Sequence, residues 1–158
     1  MTAPRKVLMV CMGNICRSPT AEGVLRHKLR QAGLDELVVV DSAGTHAYHV
    51  GEPPDHRSVK HARQRGYDLS ALRARRVSEA DFAHFDLVLA MDWDNFEALS
   101  AQCPLEHRPK LRRLSEFAQR HDSPVVPDPY YGSAKGFERV LDLIEDACDG
   151  LVAHLKAR

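Results

Sequence analysis

The sequence predicts an α/β fold in which about four parallel strands form a doubly wound sheet, with helices on both faces giving three layers. Short β-branched runs alternate along the chain with amphipathic stretches, an order typical of βαβ units. The first run, 6–10, is almost wholly apolar, as expected of a central strand covered on both faces. The chain of 158 residues shows no repeat and no linker, so we expect a single domain over 1–158.

The predicted elements follow one another in a regular order. Strands are expected at 6–10, 37–41, 87–91 and, from a weaker pattern, 110–114. The first helix should have Ser18 as its N-cap and Pro19 as its first helical residue, and should end at Gly33.

The remaining helices have start signals or apolar periodicity. We expect one at 55–66, one beginning at the capping-box-like segment 78–81, and one at 95–101. A Pro-rich loop, 123–132, precedes the last helix. That helix carries an apolar stripe that should pack on the sheet, formed by Phe137, Val140, Leu141, Ile144, Cys148, Leu151, Val152 and Leu155.

Composition excludes several classes of protein. Lys and Arg number 22, Asp and Glu number 22, and the formal net charge is +0, which argues against nucleic-acid or membrane-surface partners. No apolar run approaches the ~20 residues that span a bilayer. The apolar run 7–11 is shorter than the ~7–15 residues of a signal-peptide core, so we expect a cytoplasmic protein, with secretion without a signal peptide left open. A monomer is the default expectation.

Cysteine and histidine usage predicts neither a disulfide scaffold nor a metal site. Four cysteines are too few to staple a chain of this size, and we interpret Cys103 and Cys148 as structural. His46, His49 and His56 lie on a loop rich in Gly and Pro, without cysteine partners or helical spacing, so we interpret them as solvated. We expect no metal and no cofactor.

The segment 11–18, between the first predicted strand and helix, has the composition of a phosphate-binding loop. Ligands of open parallel sheets sit beyond the carboxyl ends of the strands, and a helix N-terminus there attracts an anion. Gly13 and Asn14 tolerate positive φ, which lets the loop curl and turn its N–H groups inward. Arg17 adds a planar guanidinium that can bind two phosphate oxygens at once.

Cys11 would lie at the base of this loop. Helix N-termini and nearby cations favour the thiolate form of cysteine, so we expect a nucleophile that displaces the ester oxygen of a bound phosphate in line. Ser18 is placed to donate to the sulfur and to help it leave again. The spacing Cys-x5-Arg is weak by itself. The preceding strand, the Gly-Asn turn and the Ser-Pro helix start favour catalysis over a packing role for the cysteine.

The motif at 11–19, Cys-Met-Gly-Asn-Ile-Cys-Arg-Ser-Pro, resembles the phosphate-binding loop of the low-molecular-weight protein tyrosine phosphatases. Asp-Pro-Tyr-Tyr-Gly at 128–132 resembles that family's general-acid loop, and 41–45 and 91–92 also match. The resemblance therefore covers nearly the whole chain. The order of the motifs agrees too, and Val10 stands where the larger tyrosine phosphatases have a histidine.

The resemblance implies roles for the matching residues. Cys11 would be the nucleophile that becomes phosphocysteine, and Arg17 the clamp on the phosphoryl oxygens. Asp128 would protonate the leaving phenolate and then activate water. Asn14 would hold the turn of the loop, braced by a hydrogen bond with Ser42. The backbone N–H groups that would bind the phosphate belong to Met12, Gly13, Asn14, Ile15 and Cys16.

The resemblance also implies a redox partner and a substrate class. Cys16 matches the second cysteine of the family, which forms a disulfide with Cys11 under oxidation and so protects the thiolate. Tyr48 and Tyr130 match the aromatic walls of the substrate cleft. Ile15 stands where related enzymes that prefer phosphoarginine carry threonine, which favours phosphotyrosine-containing proteins as substrates.

One departure from the family pattern and three competing functions must be weighed against this hypothesis. Leu72 lies where many bacterial members have a histidine that braces the phosphate loop, so the brace is either missing or supplied by other residues.

A thiol-dependent arsenate reductase of the same fold would need an additional mid-chain cysteine pair, and 69–102 has no cysteine. A phosphoarginine phosphatase is the second competing function, and an inactive phosphoprotein-binding module is the third. Binding alone would require neither Cys11 nor Asp128.

Overall fold

A computed structural model describes residues 5–157 of the chain. Within this range, four strands form one parallel sheet in the order β2-β1-β3-β4. The strands are β1 Arg5–Cys11, β2 Val38–Gly44, β3 Leu87–Ala90 and β4 Leu111–Arg113. The predicted α/β fold with four parallel strands is confirmed, and the apolar first strand is central, paired on both of its edges.

Five α-helices connect or follow these strands in the described part of the chain. They are α1 Arg17–Gln31, α2 His56–Gln64, α3 Glu79–His84, α4 Trp93–Gln102 and α5 Ala134–Lys156. Short segments of tighter helix flank β4 at Leu105–Lys110 and Leu114–Phe117. The capping box at Ser78 is present, with Asp81 in the partner position, and Asp55 caps α2 by accepting from the Arg57 N–H.

Several predicted boundaries differ from the structure by one or more residues, and two of the differences have a clear physical reason. The N-cap of α1 is Cys16 rather than Ser18, because the helix already begins at Arg17 and the Ser18 hydroxyl bonds within the phosphate loop. Strand β2 extends to Gly44 rather than ending at 41, because it stays in register with β1 as far as Cys11. Tertiary pairing therefore overrides the turn-forming tendency of its last residues.

Alternate residues of β1 pack into two separate cores, so the sheet has a helical layer on each face. Val7 and Met9 join the core that includes residues of α1 and α5. Leu8 and Val10 join the core that includes Phe82 and Leu99 of α3 and α4. The predicted three-layer arrangement follows from this alternation.

The apolar stripe of α5 is buried along most of its length, as predicted, apart from a half-buried Val152. Its first member differs, because Phe137 packs with Ile15, Cys16 and Ala74 rather than on the sheet. The N-terminal turn of α5 therefore contacts the loop at the end of β1. This contact joins the C-terminal helix to the candidate site.

Candidate active site

The loop after β1 has its carbonyl groups turned outward. The carbonyls of Cys11, Met12 and Ile15 accept hydrogen bonds from the N–H groups of Thr45, His46 and Asp55 at 2.8–3.0 Å. Because the C=O and the following N–H of a peptide unit point in opposite directions, the N–H groups of residues 12, 13 and 16 face the inside of the loop. This is the backbone arrangement that binds an anion.

Asn14 holds the loop in this shape. It is the one non-glycine residue with positive φ, 58°, among the described residues, and its side chain is buried. The amide nitrogen donates to Ser18 Oγ at 2.8 Å and to Ser42 Oγ at 3.0 Å. The amide oxygen accepts from the Arg75 N–H at 3.0 Å. Both ends of this amide are thus used to fix the turn.

The sulfur of Cys11 lies 3.0 Å from Ser18 Oγ, and both residues are buried. Since Ser18 Oγ already accepts a hydrogen bond from Asn14, its own proton is free to point elsewhere. The Cys11 sulfur is nearer to that hydroxyl than the Ala43 carbonyl, which is 3.4 Å away. The Ser18 hydroxyl is therefore placed as a donor to the sulfur.

Arg17 is buried and its guanidinium is held from two directions. Nη1 donates to Asp92 Oδ2 at 2.6 Å and to the Val126 carbonyl at 2.9 Å. Nη2 lies 3.9 Å from Asp128 Oδ2. These contacts connect the phosphate loop to the end of β3 and to the segment before α5.

Asp128 lies on the loop that leads into α5. Its side chain is 36% exposed, and its Oδ1 accepts a 3.0 Å hydrogen bond from the Tyr130 N–H. Pro127 and Pro129 flank it and restrict the backbone on both sides. The carboxyl group is thus oriented but accessible, as a proton donor to a bound molecule must be.

An open cleft of about 220 Å³ collects the predicted residues from three parts of the chain. Its lining includes Cys11 and Arg17 of the phosphate loop, Asp128 and Tyr130 of the loop before α5, and Tyr48 of the loop after β2. The predicted contact residues that also line the cleft are Met12, Gly13, Ile15 and Cys16. Asn14 and Ser18, also predicted as substrate-binding residues, are not among the residues that line the cleft. They are buried with Ser42, the predicted support residue, and the Asn14 amide donates hydrogen bonds to both serines.

The sequence-based assignment missed two residues of the cleft lining. His49, interpreted as a solvated loop residue, contacts the backbone of the phosphate loop so closely that a Cβ added at Gly13 would lie 3.0 Å from its ring. Tyr131 also lines the cleft and packs edge-on against Tyr130. Among residues 5–157, no group of His, Cys, Asp or Glu side chains is arranged to hold a metal ion.

A buried carboxyl group, also missed, extends the support of the loop. Glu22 Oε1 accepts a 2.6 Å hydrogen bond from Ser42 Oγ, and Glu22 Oε2 pairs with Arg26 at 2.7 Å. Burial raises the pKa of Glu22, while the Ser42 hydrogen bond and the Arg26 charge oppose that rise. The available signal was an acidic residue among the apolar positions of α1.

Leu72 does not leave the loop without a brace. Its side chain is half-buried against the core on the α1 and α5 face. The bonds that Asn14 makes with Ser18, Ser42 and the Arg75 backbone fix the loop in its place. The structure therefore agrees with a brace that residues other than position 72 supply.

Cys16 differs from Cys11 in its surroundings. Burial, and next the charge of Asp55, raise the pKa of the Cys16 thiol to about 12. Cys16 is therefore a neutral thiol at physiological pH. Cys103 and Cys148 are also buried free thiols, and burial raises the pKa of each.

A parallel α/β sheet whose central strand delivers a cysteine into an anion-binding loop closed by an arginine is the arrangement of a cysteine-dependent phosphatase. Residues 6–158 match the family model of the low molecular weight phosphotyrosine protein phosphatases. The chain belongs to this family, and it is a protein tyrosine phosphatase.

Individual relatives agree along nearly the full length of the chain. A Synechocystis protein assigned to the low molecular weight protein-tyrosine-phosphatases is 47% identical over 95% of this chain and 96% of its own length. The crystal structure of a protein tyrosine phosphatase from Entamoeba histolytica has a TM-score of 0.95 and 42% identity, with 97% of each chain covered. Wzb from Vibrio vulnificus, solved with benzylphosphonate, has a TM-score of 0.83 and 31% identity, with 95% of this chain and 98% of Wzb covered.

These comparisons confirm the predicted family, fold class and enzyme class. They do not favour the arsenate reductase or the phosphoarginine phosphatase. In the described range 5–157, no helix is both long enough and apolar enough to pass through a bilayer.

Proposed function

We propose that Cys11 is the nucleophile, Arg17 the phosphoryl clamp and Asp128 the general acid of this phosphatase. The observation that supports this proposal most is the convergence of all three side chains on one cleft, with Arg17 oriented by Asp92 and Val126. A guanidinium held in place before the reaction costs little further entropy when it binds the transferred group.

In the first step, the Cys11 sulfur attacks phosphorus and the S–P bond forms as the bond from phosphorus to the tyrosyl oxygen breaks. The electron pair leaves with that oxygen, which takes a proton from the Asp128 carboxyl. Arg17 and the inward N–H groups of the loop stabilise the charge on the remaining phosphoryl oxygens. The product of this step is tyrosine and a phosphocysteine.

In the second step, the Asp128 carboxylate takes a proton from water while the water oxygen attacks phosphorus. The S–P bond breaks, inorganic phosphate forms and the sulfur regains its negative charge. The Ser18 hydroxyl, 3.0 Å from the sulfur, donates to that developing charge. One carboxyl group thus serves as acid and then as base.

The walls of the cleft support an aryl phosphate as the reacting group. Tyr48 and Tyr130 present rings at the cleft, and Ile15 contributes an apolar side chain to its lining. Flat apolar walls favour a phenol ring over the charged guanidinium of phosphoarginine. The benzylphosphonate bound by the Vibrio vulnificus relative also carries an aromatic ring. We propose phosphotyrosine-containing proteins as the substrates.

We further propose that the protein acts as a single-domain monomer in the cytoplasm. Four free cysteines, one of them proposed to react as a thiolate, suit a reducing compartment. The formal net charge of +0 gives no overall electrostatic attraction to nucleic acid. We also propose Cys16 as the redox partner of Cys11, since both lie on the same loop and line the same cleft.

The test is hydrolysis of phenyl phosphate and of a phosphotyrosyl peptide by the protein, by Cys11→Ser and by Asp128→Ala. We expect no turnover from the serine variant and a loss of about 10²-fold or more from the alanine variant. Asp122→Ala, a substitution of an exposed aspartate in the same segment, is the matched control and should keep full activity. Full activity in Cys11→Ser would disprove the assignment of the nucleophile.

A further inference from the structure

Arg57, in the first turn of α2, is held in a fixed orientation relative to the phosphate loop. Its Nε and Nη2 donate to the two carboxylate oxygens of Asp55 at 3.0 and 2.9 Å. Asp55 is the N-cap of α2, and its own N–H donates to the Ile15 carbonyl at 2.8 Å. The bidentate pair thus fixes the plane of the guanidinium with respect to the loop that carries Cys11.

Two aromatic rings contact this guanidinium. Its central carbon lies 4.8 Å from the ring centre of Phe137 and 5.3 Å from that of Tyr130. Phe137 is buried against Ile15 and Cys16, whereas Tyr130 lines the cleft. The two rings lie on either side of the turn 131–133, which joins the Asp128 loop to α5. Arg57 therefore connects both ends of this turn.

Tyr130 in turn orients the carboxyl group of Asp128. Its backbone N–H donates to Asp128 Oδ1 at 3.0 Å. Tyr131 packs edge-on against the Tyr130 ring, with ring centres 4.9 Å apart, and is itself 93% exposed. The more firmly fixed contact of Tyr130 is thus the guanidinium of Arg57, which Asp55 holds in place.

We propose that Arg57 is a positioning residue for the acid-bearing loop: it holds the Tyr130 ring and so places Asp128 over the reacting group. Arg57 is not among the described residues that line the cleft, and in this proposal it acts on the reaction through its contact with the Tyr130 ring. The proposal rests on the proposed function of Asp128 as the general acid.

The dependence of the rate on the leaving group distinguishes positioning of the acid from a general structural role. Protonation matters most when the departing phenolate is strongly basic, as it is for phenyl phosphate. It matters little for p-nitrophenyl phosphate, whose leaving group is stable as an anion. A misplaced Asp128 therefore slows the first substrate and spares the second, whereas damage to the phosphate loop slows both.

The experiment measures kcat/KM of both substrates for the wild type, Arg57→Met, Arg57→Lys and Asp128→Ala. Arg57→Met should lose about tenfold with phenyl phosphate and less than about twofold with p-nitrophenyl phosphate, since small displacements of a catalytic group are costly. Arg57→Lys keeps a charge but not the bidentate pair with Asp55, and should show the same selectivity to a smaller degree. Arg112→Met is the matched control, because Arg112 of β4 also lies over an aromatic ring, that of Phe117, at 4.7 Å. This substitution should not change the ratio of kcat/KM between the two substrates.

Each remaining outcome contradicts the proposal or one of its premises. Equal losses with both substrates, or no loss, in correctly folded Arg57→Met would overturn the positioning role. If Asp128→Ala itself shows no selectivity between the substrates, the general-acid assignment fails first. If Arg57→Met does not fold, Arg57→Lys decides between these outcomes.

Discussion

Arg17 Nη1 and Asp92 Oδ2 are joined by a 2.6 Å hydrogen bond that links the phosphate loop to the end of β3. The Arg17 side chain is almost completely buried, and the Asp92 side chain is 23% exposed. The same guanidinium nitrogen donates to the Val126 carbonyl. The clamp proposed for the phosphoryl group is therefore oriented by two other parts of the chain before any substrate binds.

Asp92→Asn should reduce kcat/KM for phenyl phosphate by about tenfold, because an asparagine that keeps its oxygen on the Asn95 N–H turns its NH2 group, which cannot accept a hydrogen bond, toward Arg17. The asparagine oxygen can still accept from the Asn95 N–H, so the N-cap of α4 and the stability should be retained. Steady-state kinetics and urea unfolding measure the two effects. Asp94→Asn, in the same helical turn, should change neither, and an unimpaired Asp92→Asn would contradict the orienting role.

Substitutions of Asn14 separate its backbone conformation from its side-chain hydrogen bonds. Asn14→Gly can keep the positive φ of 58° but loses the bonds to Ser18 and Ser42, so it should fold well and lose about tenfold or more in kcat/KM. Asn14→Ala loses the bonds and adds backbone strain, so its unfolding free energy should be lower than that of Asn14→Gly by about 1 kcal/mol. Kinetics and urea unfolding of both variants provide the measurement. A fully active glycine variant would show that the amide network is dispensable.

Glu22→Gln should change the pH dependence of stability. Burial raises the pKa of Glu22 above its ordinary value of 4.5, so the folded state binds this proton more readily than the unfolded state does. The associated stability is present below that ordinary value and is lost as the pH rises through the folded-state pKa. The unfolding free energy of Glu22→Gln should therefore rise relative to the wild type between acidic and neutral pH.

Urea unfolding of both proteins across this range measures that difference. Taking a difference is necessary because several carboxyl groups, such as Asp81 and Asp146, have lowered pKa values and change stability in the opposite direction. Glu36→Gln, an exposed control, should show a constant difference from the wild type. A constant or falling difference for Glu22→Gln would contradict the expected direction.

Cys16→Ser should make inactivation by hydrogen peroxide irreversible. Peroxide oxidises Cys11 to a sulfenic acid, and the Cys16 thiol condenses with it to form a disulfide and water. Without that thiol, a second molecule of peroxide oxidises the sulfenic acid to a sulfinic acid, which dithiothreitol does not reduce. Because the pKa of Cys16 is about 12, peroxide should react first with Cys11. The wild type and the Cys103→Ser control should recover most activity with dithiothreitol, and Cys16→Ser only a small fraction. Equal recovery in all three proteins would argue against the redox pairing.

The parts of the site that could be predicted are those encoded locally. The apolar first strand, the Gly13-Asn14 turn and the spacing of Cys11 and Arg17 lie within a few residues of one another, so their geometry follows from strand, turn and helix preferences. The capping box at 78–81 was predictable for the same reason.

The parts that could not be predicted from composition or spacing depend on contacts between distant segments. Asp92 is 75 residues from Arg17, and the Arg75 N–H that fixes Asn14 is 61 residues away from it. The Arg75 contact uses a backbone group, which carries no side-chain signal. Of these supporting residues, Glu22 alone could have been recognised from the sequence. A carboxyl group among the apolar positions of a helix needs a buried hydrogen-bond partner.

The central place of β1 in the sheet has a consequence for the order of movements during turnover. Cys11 ends a strand that is hydrogen-bonded along both edges, so freeing the nucleophile would require breaking two ladders at once. The Asp128 side chain is 36% exposed and accepts a hydrogen bond from its near neighbour Tyr130, and its loop is not part of the sheet, so this loop can move at a lower cost in free energy. We therefore expect movement of the acid-bearing loop to set the rates at which a phosphorylated side chain enters and phosphate leaves. The phosphate loop should keep its position during both steps.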